Sequence, residues 1–275
     1  MPKWIYRLPA LLFASSLAIL TSAHAATTKQ CADITNTDSP DLAVQLCEPL
    51  TKQGNAEAQF TLGLYYLYGP DSSRKQQEGA RLIRLAAEQG YTKAQLLLGT
   101  MLSALVASGT EQDMNFNDAA KWITISAQDG FVVAQYALGI MHLKGKGVSQ
   151  NPEEAIKWLK KAAKQNFSLA QGLLGSFYYQ GKVTIQDYDE AAKWFKLAAN
   201  QDDATAQMLL GNMHALGQGV EQNYVKAHMW LNIAASSGNE RAIKVRDMVA
   251  SNMTPNQINQ AQKLAREWLQ NHRKP

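Results

Sequence analysis

The sequence predicts an all-α solenoid of stacked helix-turn-helix repeats, and three periodic features carry that prediction. The dipeptide Ala-Gln opens at Ala58, Ala94, Ala134, Ala170 and Ala206, in steps of 36, 40, 36 and 36 residues, and Ala242 opens a sixth, imperfect copy after another 36. Trp122, Trp158, Trp194 and Trp230 are 36 residues apart, each 12 before the next alanine, with Leu82 in the first copy's place. A third column, Gly54, Gly90, Gly130, Asn166, Asp202 and Gly238, keeps the same beat. A fixed period in this range marks a stacked repeat array, in which each unit buries its apolar face only against its neighbours.

Taken in order, the chain opens on a stretch outside the fold. Lys3 and Arg7 form a basic start, Leu8–Leu20 is an apolar run too short to span a bilayer, and Ala23-His24-Ala25 is a small-x-small cleavage signal. Residues 1–25 therefore read as a secretory signal peptide cut after Ala25, and 26–38 as an N-terminal tail. Without Lys3 and Arg7 the chain carries 25 basic and 23 acidic residues, too balanced to argue for nucleic acid. No cysteine follows the cut directly and no later segment is apolar enough to span a membrane. The mature chain is therefore expected to be soluble and periplasmic or secreted. Cys31 and Cys47 are the only cysteines, and export permits a disulfide between them.

The solenoid is expected over residues 39–253. Ser39-Pro40-Asp41 starts a first helix, about Asp41–Gln53, that ends at Gly54. Five full copies follow, near 58–93, 94–133, 134–169, 170–205 and 206–241. The third shows the pattern most cleanly. Its first helix carries Ala134, Leu138 and His142 on one face, and Gly139 leaves room for a neighbouring helix. Gly145 and Gly147 stop that helix, because glycine enters the left-handed region without a Cβ penalty. Asn151-Pro152-Glu153-Glu154 then opens the second helix with an N-cap, a proline at N1 and acids at the positive end of the dipole. Asn115, Asp187 and Asn223 repeat the cap in register. Within the second helix Ala155, Trp158, Ala162 and Ala163 form the apolar stripe, and the tryptophan column is read as core. The second copy is four residues longer, and the extra residues fall in or beside Ser103–Asn115, where Leu102, Leu105 and Val106 would extend the first helix by about a turn. Thr254-Pro255-Asn256-Gln257 is a capping box opening a C-terminal capping helix within 254–275.

The pattern A-Q-x-x-L-G-x-x-Y/H-x-x-G-x-G-V followed by A-x-x-W-x-x-x-A-A resembles the Sel-1-like repeat, a branch of the tetratricopeptide superfamily. Ala134–Val148 with Ala155–Ala163, and Ala206–Val220 with Ala227–Ala235, match it best. The resemblance implies a right-handed solenoid and a role in protein–protein interaction, in the bacterial envelope or at the cell surface. In the related arrays the first helix of each pair lines a concave groove. Carried over by register, the groove residues are Phe60, Leu64, Tyr68, Tyr136, Ile140, Lys144, Tyr179, Gln180, Met208 and Asn212. They mix apolar, aromatic and polar types, as suits a protein or peptide partner. A monomer is expected.

No pattern for chemistry emerges. His142 and His214 share a column with Tyr66 and Tyr178 and read as packing residues, so no metal ligand set forms. H-E-x-x-H, G-x-S-x-G and P-loop motifs are absent, and Gly145-Lys146-Gly147 follows a helix where a phosphate loop needs a strand. The reading is a non-enzyme with no cofactor. The alternative is a peptidoglycan- or penicillin-binding or β-lactamase-like envelope protein, described for cysteine-rich relatives. Here the five full copies hold no cysteine pair, which sets the chain apart from those relatives.

Overall fold

The computed structural model describes Cys31 and residues 40–69, 75–108 and 115–272, with side chains from residue 44 onward in the first helix. The expected signal peptide, the rest of the N-terminal tail and residues 109–114 lie outside the described residues. Among those described, thirteen helices and no strands occur. They are α1 (Pro40–Lys52), α2 (Ala56–Tyr68), α3 (Gln76–Glu88), α4 (Thr92–Ser108), α5 (Phe116–Gln128), α6 (Val132–Lys144) and α7 (Pro152–Lys164). Then follow α8 (Ser168–Gln180), α9 (Tyr188–Ala199), α10 (Ala204–Leu216), α11 (Tyr224–Ser236), α12 (Glu240–Ala250) and α13 (Pro255–His272). We call the Ala-Gln helices A (even numbers) and the helices of the tryptophan column B. The fold is an all-α repeat solenoid. The chain forms two compact units, Met1–Leu102 and Ser103–Pro275. In the first, α1 packs on α2 and α2 on α3. In the second, each helix from α5 to α11 packs on the next, and α13 folds back onto α11.

Local sequence sets the helix ends. Asn115, Asn151, Asp187 and Asn223 each accept a backbone N–H of the first turn of the following B helix. Asn55, Asp203 and Asn239 do the same for A helices. The column after each B helix is left-handed throughout: Gly54, Gly90, Gly130 and Gly238 at φ 84–97°, Asn166 at 65° and Asp202 at 62°. The second copy's insertion becomes helix. The A helix α4 has 17 residues against 13 in α2, α6, α8 and α10, so the four extra residues add one turn.

Packing between A and B helices departs from the expectation in one respect. Trp122 and Trp230 are buried, but Trp158 and Trp194 are only partly so. The deepest column is the next residue along: Ile83, Ile123, Leu159, Phe195 and Leu231, each at 0–1% exposure. Ile83, Leu159, Phe195 and Leu231 seat on Gly63, Gly139, Gly175 and Gly211 of the preceding A helix. A Cβ on Gly139 would lie 2.8 Å from Leu159 Cγ, and one on Gly175 2.6 Å from Phe195 Cδ1. The tryptophans are larger than this socket and sit beside it, between successive B helices. Trp194 packs on Leu159, Ala162 and Ala163 of α7 with Ala170 and Leu174 of α8.

A polar ladder runs through the same layer. The glutamines of four of the five Ala-Gln pairs are buried or partly buried and donate to a carbonyl near the end of the preceding B helix: Gln95 to Ala87, Gln135 to Ala127, Gln171 to Ala163 and Gln207 to Ala199, at 3.0–3.2 Å. Gln59, Gln135 and Gln171 also accept from Gln89, Gln165 and Gln201 after the following B helix, at 2.7–2.8 Å. The side-chain amides of Gln135 and Gln171 thus each join three consecutive helices.

At the N-terminus Cys31 and Cys47 form a disulfide with Cα atoms 5.2 Å apart. Both are buried against Leu50, Ala58 and Leu62, so the bond ties the tail to the first core.

Candidate functional site

With the A–B layer spent on packing, side chains free to vary lie at the C-terminal ends of the A helices and in the turns after them. The helices α6, α8 and α10 end at Gly145, Gly181 and Gly217, all left-handed at φ 66–68°. The residues just before these glycines, Lys144, Gln180 and Leu216, are exposed, as is Tyr68 at the end of α2. Tyr68 and Leu216 each expose 63% of their surface, unusual for large apolar side chains.

The turns that follow are pinned. Gln150, Gln186 and Gln222 each reach back to donate to a carbonyl in the last turn of the A helix, at 2.9–3.0 Å. The amides of Asn151, Asp187 and Asn223 donate to the carbonyls of His142, Tyr178 and His214. His142 and His214 bond through Nδ1 to the carbonyls of Ser149 and Glu221 at 3.1 and 3.4 Å. A carbonyl only accepts, so Nδ1 carries the proton and these histidines hold the turns. Burial pushes the His214 ring below its ordinary pKa, opposed by its bond to Glu221. Among the described residues no three His, Cys, Asp or Glu are grouped to hold a metal ion.

Sequence register placed ten residues on the binding face, and the structure divides them. Lys144, Gln180 and Tyr68 are exposed. Leu64, Ile140 and Asn212 are partly buried. Phe60, Tyr136 and Met208 are partly buried toward the next repeat. Phe60 stacks obliquely on Tyr91 and Tyr136 edge-on to Phe167, ring centres 5.3 Å apart in both pairs, and Met208 packs on the cluster shared by α11 and α12. Tyr179 lies against Tyr188 and Phe195 and donates to Gln218 at 3.1 Å. Burial raises the phenol pKa of both Tyr136 and Tyr179, so they act as neutral groups. In the second unit this leaves a rigid edge of Lys144, Gln180 and Leu216.

Ile185 belongs with that edge and was missed. It lies in the turn between α8 and α9, where Ser149 and Glu221 stand in the neighbouring copies, and is 88% exposed. The signal was its departure from a polar column, which a search for conserved register passes over.

A sequence model of the Sel1 repeat matches residues 56–91, 132–167, 168–203 and 204–239, just over half the chain. The copy with the insertion is left out. Among solved structures, the chain is similar to a protective antigen of uropathogenic Escherichia coli strains that displays an SLR fold. Identity is 26%, the TM-score is 0.53, and the match covers 84% of this chain and 56% of the antigen, so the chain spans little more than half of that protein. A Sel1 repeat protein from Oxalobacter formigenes matches over 90% of this chain and 97% of its own length, at 24% identity and a TM-score of 0.59.

Proposed function

We propose that this chain, which belongs to the Sel1 repeat family, is an exported scaffold that holds a partner protein against the exposed ends of its A helices. The Sel1 repeat scaffold is a protein-interaction fold. The observation that carries the reading is the contrast within each repeat. Buried positions recur as Gly and its plug or as Ala-Gln, whereas the helix-end position changes from Tyr68 to Lys144, Gln180 and Leu216, the last three before turns pinned by the same glutamine bond. Such a surface discriminates between partners through side chains that lose little freedom on binding.

Within the second unit the same face takes in the partly buried groove residues Tyr136, Ile140, Tyr179, Met208 and Asn212 as its floor; within the first, Phe60 and Leu64 lie on the A helix that ends at Tyr68. Export to the periplasm or beyond is supported by the leader-like residues 1–25 and by the Cys31–Cys47 bond, which an oxidising compartment maintains. Among the described residues no helix is long and apolar enough to cross a membrane. We take the protein to act as a monomer and without chemistry of its own.

A photo-crosslinking residue at Gln180 or Leu216, introduced in cells and followed by mass spectrometry, tests this. One dominant protein adduct is expected, lost with Lys144→Glu or Ile185→Asp at unchanged melting temperature. Equal crosslinking from an exposed B-helix position such as Lys164 overturns the assignment of the face. Hydrolysis of nitrocefin by the purified protein overturns the non-catalytic reading.

A further inference from the structure

The last helix of the chain shows what the B helices of the second unit can hold. α13 folds back onto α11, where its Ala265, Trp268 and Leu269 join the cluster of Trp230 and Ile233 with Ala192 and Phe195 of α9. Trp268 meets Trp230 edge-on, ring centres 5.7 Å apart. Under that cover Trp230 and Ile233 are buried. Trp194 and Leu197 stand in the same two columns one repeat earlier, on α9. There the indole is partly exposed and Leu197 is 44% exposed. The step between α7 and α9 thus repeats the seat of α13, but among the described residues no helix lies on it.

The open step differs from the covered one in charge. Trp194 packs on the cluster containing Ala163, and Lys160 and Lys164 flank that alanine, one turn apart on α7. In the covered step those two columns hold Lys196 and Asn200. Lys161 takes the place on α7 that Leu197 has on α9, and its ammonium lies 3.8 Å from the centre of the Trp158 ring. Lys157 and Lys193 are paired with Glu154 and Glu190, at 2.6 and 2.8 Å. Lys160, Lys161, Lys164 and Lys196 form no ion pair among the described residues. An apolar strip of Trp194 and Leu197, edged by unpaired ammonium groups, fits a helix whose apolar stripe is bordered by carboxylates.

We propose that the step between α7 and α9 docks an acidic amphipathic helix of a partner protein, laid on Trp194 and Leu197 as α13 is laid on Trp230 and Ile233, with carboxylates on Lys160 and Lys164. The surface belongs to B helices and shares no residue with the A-helix ends, so it holds a second partner. A crosslinking residue at Lys164 then captures a different protein from the one captured at Gln180, and the same adduct from both still overturns the A-helix face.

The probe is a blocked, hydrocarbon-stapled peptide of the α13 sequence, Pro255–His272, labelled with fluorescein, in which Gln262→Glu and Arg266→Glu set two carboxylates one turn apart. Titrated with the purified chain, its anisotropy should saturate with a Kd of about 10–100 µM at about 50 mM salt, and binding should weaken at about 500 mM, where exposed charges are screened. The unsubstituted peptide should bind about tenfold more weakly. In the chain, Lys160→Glu with Lys164→Glu should weaken the acidic peptide more than tenfold, and a peptide with Gln262→Lys and Arg266 kept should then bind the reversed chain better than the parent. Leu197→Asp should also weaken the acidic peptide more than tenfold at an unchanged melting temperature, and it decides the matter if the double variant fails to fold. Lys144→Glu, at an A-helix end, should change nothing. Absence of saturable binding overturns the docking surface, as does binding that responds to the lysines but not to Leu197→Asp. Hydrogen exchange in the complex should slow in α7 and α9. Lost protection in α13 instead means that the peptide has taken that helix's own seat on α11, and overturns the open step. None of these outcomes bears on crosslinking at Gln180, so failure here and failure of the A-helix face are distinguishable.

Discussion

At the scale of single residues, the energetics turn on which side chain fills the glycine socket. Phe195 is enclosed by Gly175 and the α9–α10 core, whereas Trp194 is partly exposed. Phe195→Ala should therefore lose about 3–5 kcal/mol in a denaturant melt, and Trp194→Ala distinctly less. The glycine side of the contact gives a matched pair. Gly175→Ala forces a Cβ into Phe195 and should destabilise. Gly172→Ala meets only the Asp203 carboxylate at 3.2 Å and should gain up to about 1 kcal/mol of helix propensity. The polar ladder offers a gain as well. Gln207 Oε1 is buried without a partner among the described residues, because Ser237 stands where Gln89, Gln165 and Gln201 donate in other copies. Ser237→Gln should add about 1 kcal/mol and raise Tm by about 2–4 °C.

At the scale of the helix, α11 carries a pH dependence. His228 is buried in a column that holds Ala80, Ala120, Ile156 and Ala192 in other copies, and its Nδ1 has no partner among the described residues. Burial lowers its pKa and Arg246 of α12 lowers it further, with Asp247 opposing. Burial likewise lowers that of His214 in α10, with Lys226 and Lys196 adding to the effect. Both rings are neutral in the fold, while in the unfolded chain they take up protons around the ordinary value near 6.5. Stability is thus fully present above about pH 6.5 and falls as pH drops toward the lowered folded values. Thermal melts should be level from about pH 7 to 8 and decline below about 6.5, and His228→Ala should flatten that decline. A decline unchanged in His228→Ala would assign it to other groups. The element scale also explains the insertion. Added residues that complete a turn of α4 keep its helical face in phase, and Ser103 and Val106 in that turn and the one before it are buried.

At the scale of the whole molecule, each repeat contacts mainly its neighbours, so stability is close to a sum of local terms and interfaces. The first unit carries the Cys31–Cys47 disulfide. Closing a loop of 16 residues contributes about 3 kcal/mol on the chain-entropy model. Reduction should therefore lower the first unit's stability selectively. Hydrogen exchange should show lost protection in α1 and α2 while α6 to α11 stay protected. Uniform loss across all helices would mean that the array unfolds as one cooperative block.

The period, the caps and the left-handed column were legible in the sequence because each is decided within a turn or two of backbone. Asn151 caps its own helix, and Asn166 and Asp202 adopt the glycine conformation from their place after a helix end. The A-helix ends were placed by the same register, and Lys144 and Gln180 are exposed there. What lies across from a residue is a different matter. Phe195 meets Gly175 from 20 positions away, and Gln201 meets Gln171 from 30. No local rule says whether the tryptophan or its successor enters a socket, or which glutamine reaches which carbonyl. Those outcomes depend on the distance and angle between packed helices, which only the tertiary structure decides.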